Sequence, residues 1–154
     1  MTDTPTRTRT RTPRFNHVAM SLPGEALDER GRADIVAFCG DVFGWQELPM
    51  MTKDRKRLVL SAWTTEQFVF LHGSDEAMTA PPTDHFGLSV QSLAELEEFR
   101  DRALAAAGHD PRVDVTAQAV EDYGALKLHS FYVSSMLPLT IEVQHFEYVS
   151  DPPS

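Results

Sequence analysis

The chain has 154 residues, 42% of them hydrophobic, enough for one compact domain or two small halves sharing a core. Its formal net charge of −9 argues against nucleic acid as the main partner, because phosphate binding needs a basic surface. No apolar run approaches the ~20 residues of a membrane span, and the lone Cys39 excludes a disulfide framework or a cysteine-based zinc cluster. A soluble, cytoplasmic protein is expected.

Residues 1–13 carry Arg7, Arg9 and Arg11 spaced by threonine and closed by Pro13, with no apolar periodicity, and read as a disordered basic tail. The segment FNHVAMSL then alternates as a strand does, so His17, Ala19 and Ser21 share one face and Val18, Met20 and Leu22 the other. After a loop with Pro23 and Gly24, ADIVAFCGDVFG places Ile35, Phe38, Cys39, Val42 and Phe43 on one helical stripe, and Gly44 ends it. In that stripe Cys39 reads as a small buried hydrophobe. Three strands are predicted next, in WQELPMM, RKRLVLSAW and EQFVFLHG.

The linker SDEAMTAPPT breaks the chain at Pro81 and Pro82. Beyond it the order of elements repeats. DHFGLSV is a strand with His85, Gly87 and Ser89 on one face. SLAELEEFRDRALAAAG is a helix with a capping box at Ser92 and Glu95, a stripe of Leu93, Leu96, Phe99, Ala103 and Leu104, and a stop at Gly108. Strands follow in RVDVTAQAV, YGALKLHSFYVSS and LPLTIEVQHFEY, the last with Thr140, Glu142 and Gln144 on one face. The fold class is therefore α+β, two βαβββ modules forming a curved sheet or partial barrel around a cavity. Module one covers residues 14–74, a linker 75–83, and module two 84–149.

His17 and His85 open the two halves at equivalent positions, and Glu142 lies on the last strand of the second. Two imidazoles and a carboxylate are an open donor set for a divalent ion. Iron(II) or manganese(II) suits such a set best, and zinc, nickel or cobalt is compatible with the ligand types. Taken singly, each residue is equally readable as a hydrogen-bonded strand side chain or, for Glu142, as half of an ion pair. Their coincidence at equivalent positions, and the cost of burying an unpaired carboxylate, favour a metal site. Gln144 shares the face of Glu142 and is a candidate hydrogen-bonding or substrate-binding residue. His145 and Glu147 have the opposite parity. Trp45, Trp63, Phe68, Phe70 and Tyr132 are candidate pocket aromatics, with core packing as the alternative.

The paired βαβββ layout, the strand-opening histidines in FNHVAMSL and DHFGLSV, and the late IEVQ carboxylate resemble the vicinal oxygen chelate superfamily over residues 14–149. That group includes glyoxalase I, extradiol dioxygenases, fosfomycin-resistance transferases and bleomycin-resistance binding proteins. The resemblance implies metal ligands His17, His85 and Glu142, with a fourth position falling at Phe70, which cannot coordinate. This departs from the four-ligand glyoxalase pattern, and His72, two residues on, fills the gap only if the strand shifts register. Phe70 and His72 are otherwise assigned to substrate binding.

Tyr132 precedes Glu142 as a tyrosine does in the extradiol motif, which makes Tyr132, with His129, the candidate proton-transfer group. The motif's turn is replaced by SSMLPL, and Tyr123, Gly124 and Ala125 stand where its acid-base histidine would be. Of the basic residues a phosphonate pocket would need, only Arg55, Lys56 and Arg57 cluster, and they read as an exposed strand start. The resemblance also implies a homodimer. The expected function is a metal-dependent, dioxygenase-like or glyoxalase-like enzyme acting on a small oxygenated, possibly aromatic, substrate. The alternative is a metal-free protein that sequesters a drug-like small molecule.

Overall fold

A computed structural model of the chain describes residues 12–149. The basic tail and its three arginines lie almost wholly outside the described residues. Strand β1 (His17–Leu22) leads through a 3-10 turn (Gly24–Leu27) into helix α1 (Glu29–Phe43), followed by β2 (Gln46–Glu47), β3 (Arg57–Ser61) and β4 (Phe68–Gly73). The second half runs β5 (His85–Val90), α2 (Leu93–Ala107), β6 (Asp114–Val115), β7 (Ala119–Asp122), β8 (Leu126–Ser134) and β9 (Thr140–Tyr148).

Among the described residues the strands form two mixed sheets and no closed barrel. The first has the order β1-β4-β3-β2, the second β5-β9-β8-β6 with β7 also paired to β8. In each, the opening strand lies parallel to the last strand of its half, β1 to β4 and β5 to β9. Both opening strands are therefore sheet edges, each bringing its histidine-bearing face beside the final strand.

Each helix covers one face of its sheet. Met20, Leu22, Leu58, Leu60, Val69 and Leu71 are buried on the first. Phe131, Val133, Ile141 and Val143 are buried on the second. This follows from strand alternation, which sends one set of side chains under the helix and leaves the other on the open face. The halves are joined by stacked aromatic rings, Phe43 on Phe99 at 6.4 Å and Trp45 on Phe86 at 6.5 Å between centroids. Cys39 is fully buried within this core, and burial pushes its thiol up to about 12.

The helix ends follow their local chemistry. The Asp28 carboxylate accepts from the Gly31 N–H at 2.8 Å, so α1 begins four residues before Ala33, and Gly44 ends it at φ 71°. At α2 the Ser92 hydroxyl accepts from the Glu95 N–H, but the Glu95 carboxylate reaches back to Gln91 rather than to Ser92. Gly108 stays right-handed at φ −68° and closes the helix by donating to the Leu104 and Ala105 carbonyls.

Three expectations need correction. WQELPMM is a strand only at Gln46–Glu47, because the backbone turns at Pro49, with the Met51 N–H donating to the Leu48 carbonyl. RVDVTAQAV splits into β6 and β7, since Thr116 leaves the ladder to bond the Tyr132 backbone through both its N–H and its hydroxyl. The stripe of α2 is narrower than expected: Leu96 and Ala103 are buried and Phe99 is half-buried, while Leu93 and Leu104 stand 36% and 41% exposed.

Candidate functional site

Strand β9 is central in its sheet, so the open-face side chains of β5 and β8 converge on it from both sides. Gly87 of β5 and Tyr132 of β8 both stand opposite Glu142. Gly87 has no side chain to cover the carboxylate; a Cβ there would sit 3.5 Å from the Gln144 amide oxygen. Glu142 is 5% exposed, yet its Oε2 is 3.3 Å from His85 Nε2 and accepts from Gln144 Nε2 at 2.8 Å. The Tyr132 ring meets the His85 ring edge-on at 5.3 Å.

The protons at this site can be followed. His85 Nδ1 lies 2.8 Å from the Thr83 carbonyl, which can only accept, so Nδ1 carries a hydrogen and Nε2 is turned toward Glu142. A lone pair and a carboxylate oxygen facing each other at this distance repel unless a cation lies between them, either a second proton or a metal ion. Two donors each about 2.1 Å from one ion stand roughly 3.0–3.4 Å apart at tetrahedral or octahedral angles. The observed separation and the backbone bond behind His85 both fit a metal ligand pair.

His17 repeats the arrangement in the first sheet. Its Nδ1 is 2.8 Å from the Asn16 side-chain oxygen, its ring stacks on Phe68 at 5.0 Å, and Nε2 is left free on the open face. It does not join His85 and Glu142 within one chain: among the described residues no three His, Cys, Asp or Glu side chains are placed to hold one ion.

Ala19 pairs with Phe70 as Gly87 pairs with Glu142, so Phe70 occupies the equivalent position and His72, opposite Ser21, does not shift into it.

Tyr132 and His129 are three residues apart on one strand and so face opposite ways. Tyr132 shares the open face with Glu142. Hydrogen bonding toward the Glu142 carboxylate, with burial second, raises the Tyr132 phenol above its ordinary range. His129 is buried on the helix side, with Nε2 bonded to Glu147 at 2.7 Å and its ring 5.9 Å from His145. Among the aromatics, Trp45 is buried in the core while Trp63 is 83% exposed on the β3–β4 turn. Asn16, next to His17 in sequence, was visible as a polar neighbour. The Thr83 carbonyl carries no side-chain signal and is found only in three dimensions.

Solved structures share this architecture. A FosX fosfomycin resistance protein from Listeria monocytogenes, in a Glu-to-Gln mutant complexed with Mn(II) and 1S,2S-dihydroxypropylphosphonic acid, is 14% identical, with a TM-score of 0.60. The match covers 88% of this chain and 93% of that one. A lactoylglutathione lyase from Agrobacterium tumefaciens is 17% identical at a TM-score of 0.60, covering 88% and 96%. A glyoxalase/bleomycin resistance protein/dioxygenase from Alicyclobacillus acidocaldarius is 15% identical at 0.59, covering 92% and 97%. No protein-family model and no curated protein sequence matches the chain. The chain shares the fold of these solved structures.

Proposed function

We propose that the protein is a metal-dependent enzyme acting on a small oxygenated substrate, with a divalent ion held by His85 and Glu142 of one chain and His17 of a second copy. The observation that carries this reading is the pair His85 Nε2 and Glu142 Oε2, 3.3 Å apart. Two further features support a shared site: His17 is prepared like His85 but sits in the other sheet, and both histidine-bearing strands are unpaired edges. Manganese(II) or iron(II) is the preferred ion for these donors.

When bound, the ion supplies Lewis-acid polarisation of adjacent substrate oxygens. The chain's own groups do the rest. Gln144 fixes the Glu142 carboxylate, and Thr83 fixes the His85 tautomer. Tyr132, opposite Glu142 on the open face, is placed to donate a hydrogen bond to a substrate oxygen there. His129 faces away and takes no part.

Metal analysis of protein purified without chelators, then reconstituted with manganese, iron, nickel or zinc, tests the reading. Wild type binds one ion per site, and His85→Ala or Glu142→Gln weakens binding tenfold or more, on the order expected for a lost ligand. Absence of stoichiometric metal in wild type for every ion sinks the enzyme and leaves a small-molecule binding protein.

A further inference from the structure

The two halves can be compared position by position through their strand registers. Ser21 pairs with His72 as Ser89 pairs with Gln144, and Ala19 with Phe70 as Gly87 with Glu142. On the neighbouring strand Val59 corresponds to Tyr132 and Arg57 to Ser130. One scaffold position thus carries a carboxylate in the second sheet and a phenyl ring in the first. Beside it, an amide and a serine are exchanged for an imidazole and a guanidinium. No open-face position on the four strands of the first sheet, from His17 to Arg57 and Gln46, is acidic.

Arg57 is half-buried and held in place: its Nε donates to the Met51 carbonyl, and its guanidinium lies 6.0 Å from the centre of the Phe70 ring, opposite His72. Arg57, like Arg14, Arg30, Arg55 and Arg100, has no carboxylate partner among the described residues, and of these five it alone lies on a strand of the first sheet. In a chain of net charge −9, a half-buried guanidinium facing no acid is what a ligand anion would complete.

We propose that this face is an oxyanion subsite, in which Arg57 and His72 take a carboxylate or phosphonate group of the substrate and Phe70 packs its carbon body. The row of His17 and the row of Arg57 and His72 are four residues apart along the strand, about 13 Å. The substrate class is thus an elongated molecule with vicinal oxygens at one end, an apolar middle and an oxyanion at the other. Only the assignment of the oxygen-bearing end rests on the metal reading above.

Calorimetric titration of the full chain, metal-free and loaded with Mn(II), tests the subsite with three probes: phenylacetate, phenylphosphonate and neutral phenylacetamide. At least one anion binds wild type, phenylacetamide binds at least tenfold more weakly, and Arg57→Gln weakens the anion about tenfold or more. Arg57→Lys, which keeps the charge without the fork, falls between. The tighter of the two anions identifies the oxyanion. The proposal is overturned if neither anion binds, if phenylacetamide binds as well, or if Arg57→Gln changes nothing. The wild-type comparison of charged and neutral probes decides the matter even if Arg57→Gln fails to fold. Anion binding that depends on Arg57 in a protein that takes up none of manganese, iron, nickel or zinc rejects the metal reading alone. Mn(II) uptake with binding indifferent to Arg57 rejects the subsite alone.

Discussion

At the scale of single residues, Glu142 shows how context turns a common side chain into a candidate ligand. Its spacing within LTIEVQ was enough to place it on the face of Thr140 and Gln144, and the glycine two residues after His85 was equally visible. That Gly87, Tyr132 and Glu142 stand in one row depends on strand pairings between distant segments and could not be read from spacing. His129 makes the same point from the other side. On sequence it stood with Tyr132 as a proton-transfer candidate, whereas β8 turns it to the opposite face, onto its partner Glu147 at 2.7 Å. That hydrogen bond holds the Glu147 carboxyl below its ordinary range, with Lys127 and His145 adding weaker attraction. A carboxyl depressed in the folded state stabilises the fold above its unfolded pKa and loses that contribution as pH falls through its folded value. The melting temperature therefore declines as pH drops below roughly 4.3, and Glu147→Gln makes that decline shallower than in wild type. Identical melting profiles for the two proteins would show that the pair contributes nothing in solution.

At the scale of elements, the helices and the long strands were legible because their periodicities are local. Asp28 and Ser92 cap the two helices through their own side chains, and Gly44 supplies the left-handed turn that other residues adopt with strain. Ser92→Ala should cost about 1 kcal/mol of stability, and Gly44→Ala a similar amount because φ is positive there. Urea unfolding monitored by circular dichroism checks both, with the midpoint moving and the slope unchanged. A loss of less than a few tenths of a kcal/mol would mean that the caps are replaced by water. Apart from the breadth of the α2 stripe, the failures were at short edge strands. A two-residue strand such as Gln46–Glu47 or Asp114–Val115 exists because a neighbour offers its edge, so its own sequence carries little signal.

At the scale of the whole molecule, two edge strands with histidine-bearing open faces and no closed barrel leave the proposed ligands divided between sheets. If two copies share each site, a His17→Ala chain mixed with a Glu142→Gln chain yields a dimer with one site carrying both losses and one intact. Manganese titration should then give poor binding for either homodimer and one tight ion per mixed dimer, with sedimentation confirming the dimer. A mixture that binds no better than its parents rules out a shared site. No helix among the described residues is long and apolar enough to cross a membrane. The sequence by itself determined the duplicated order of elements and the face on which each candidate ligand lies, because alternation and helical period are properties of neighbouring residues; the gap at Phe70 was implied by the family resemblance alone. Only the tertiary structure decided that Glu142 meets His85 while His17 stands apart, and that Arg57 faces His72 without an acid. Those are consequences of strand order and register, which bring together residues far apart in the chain.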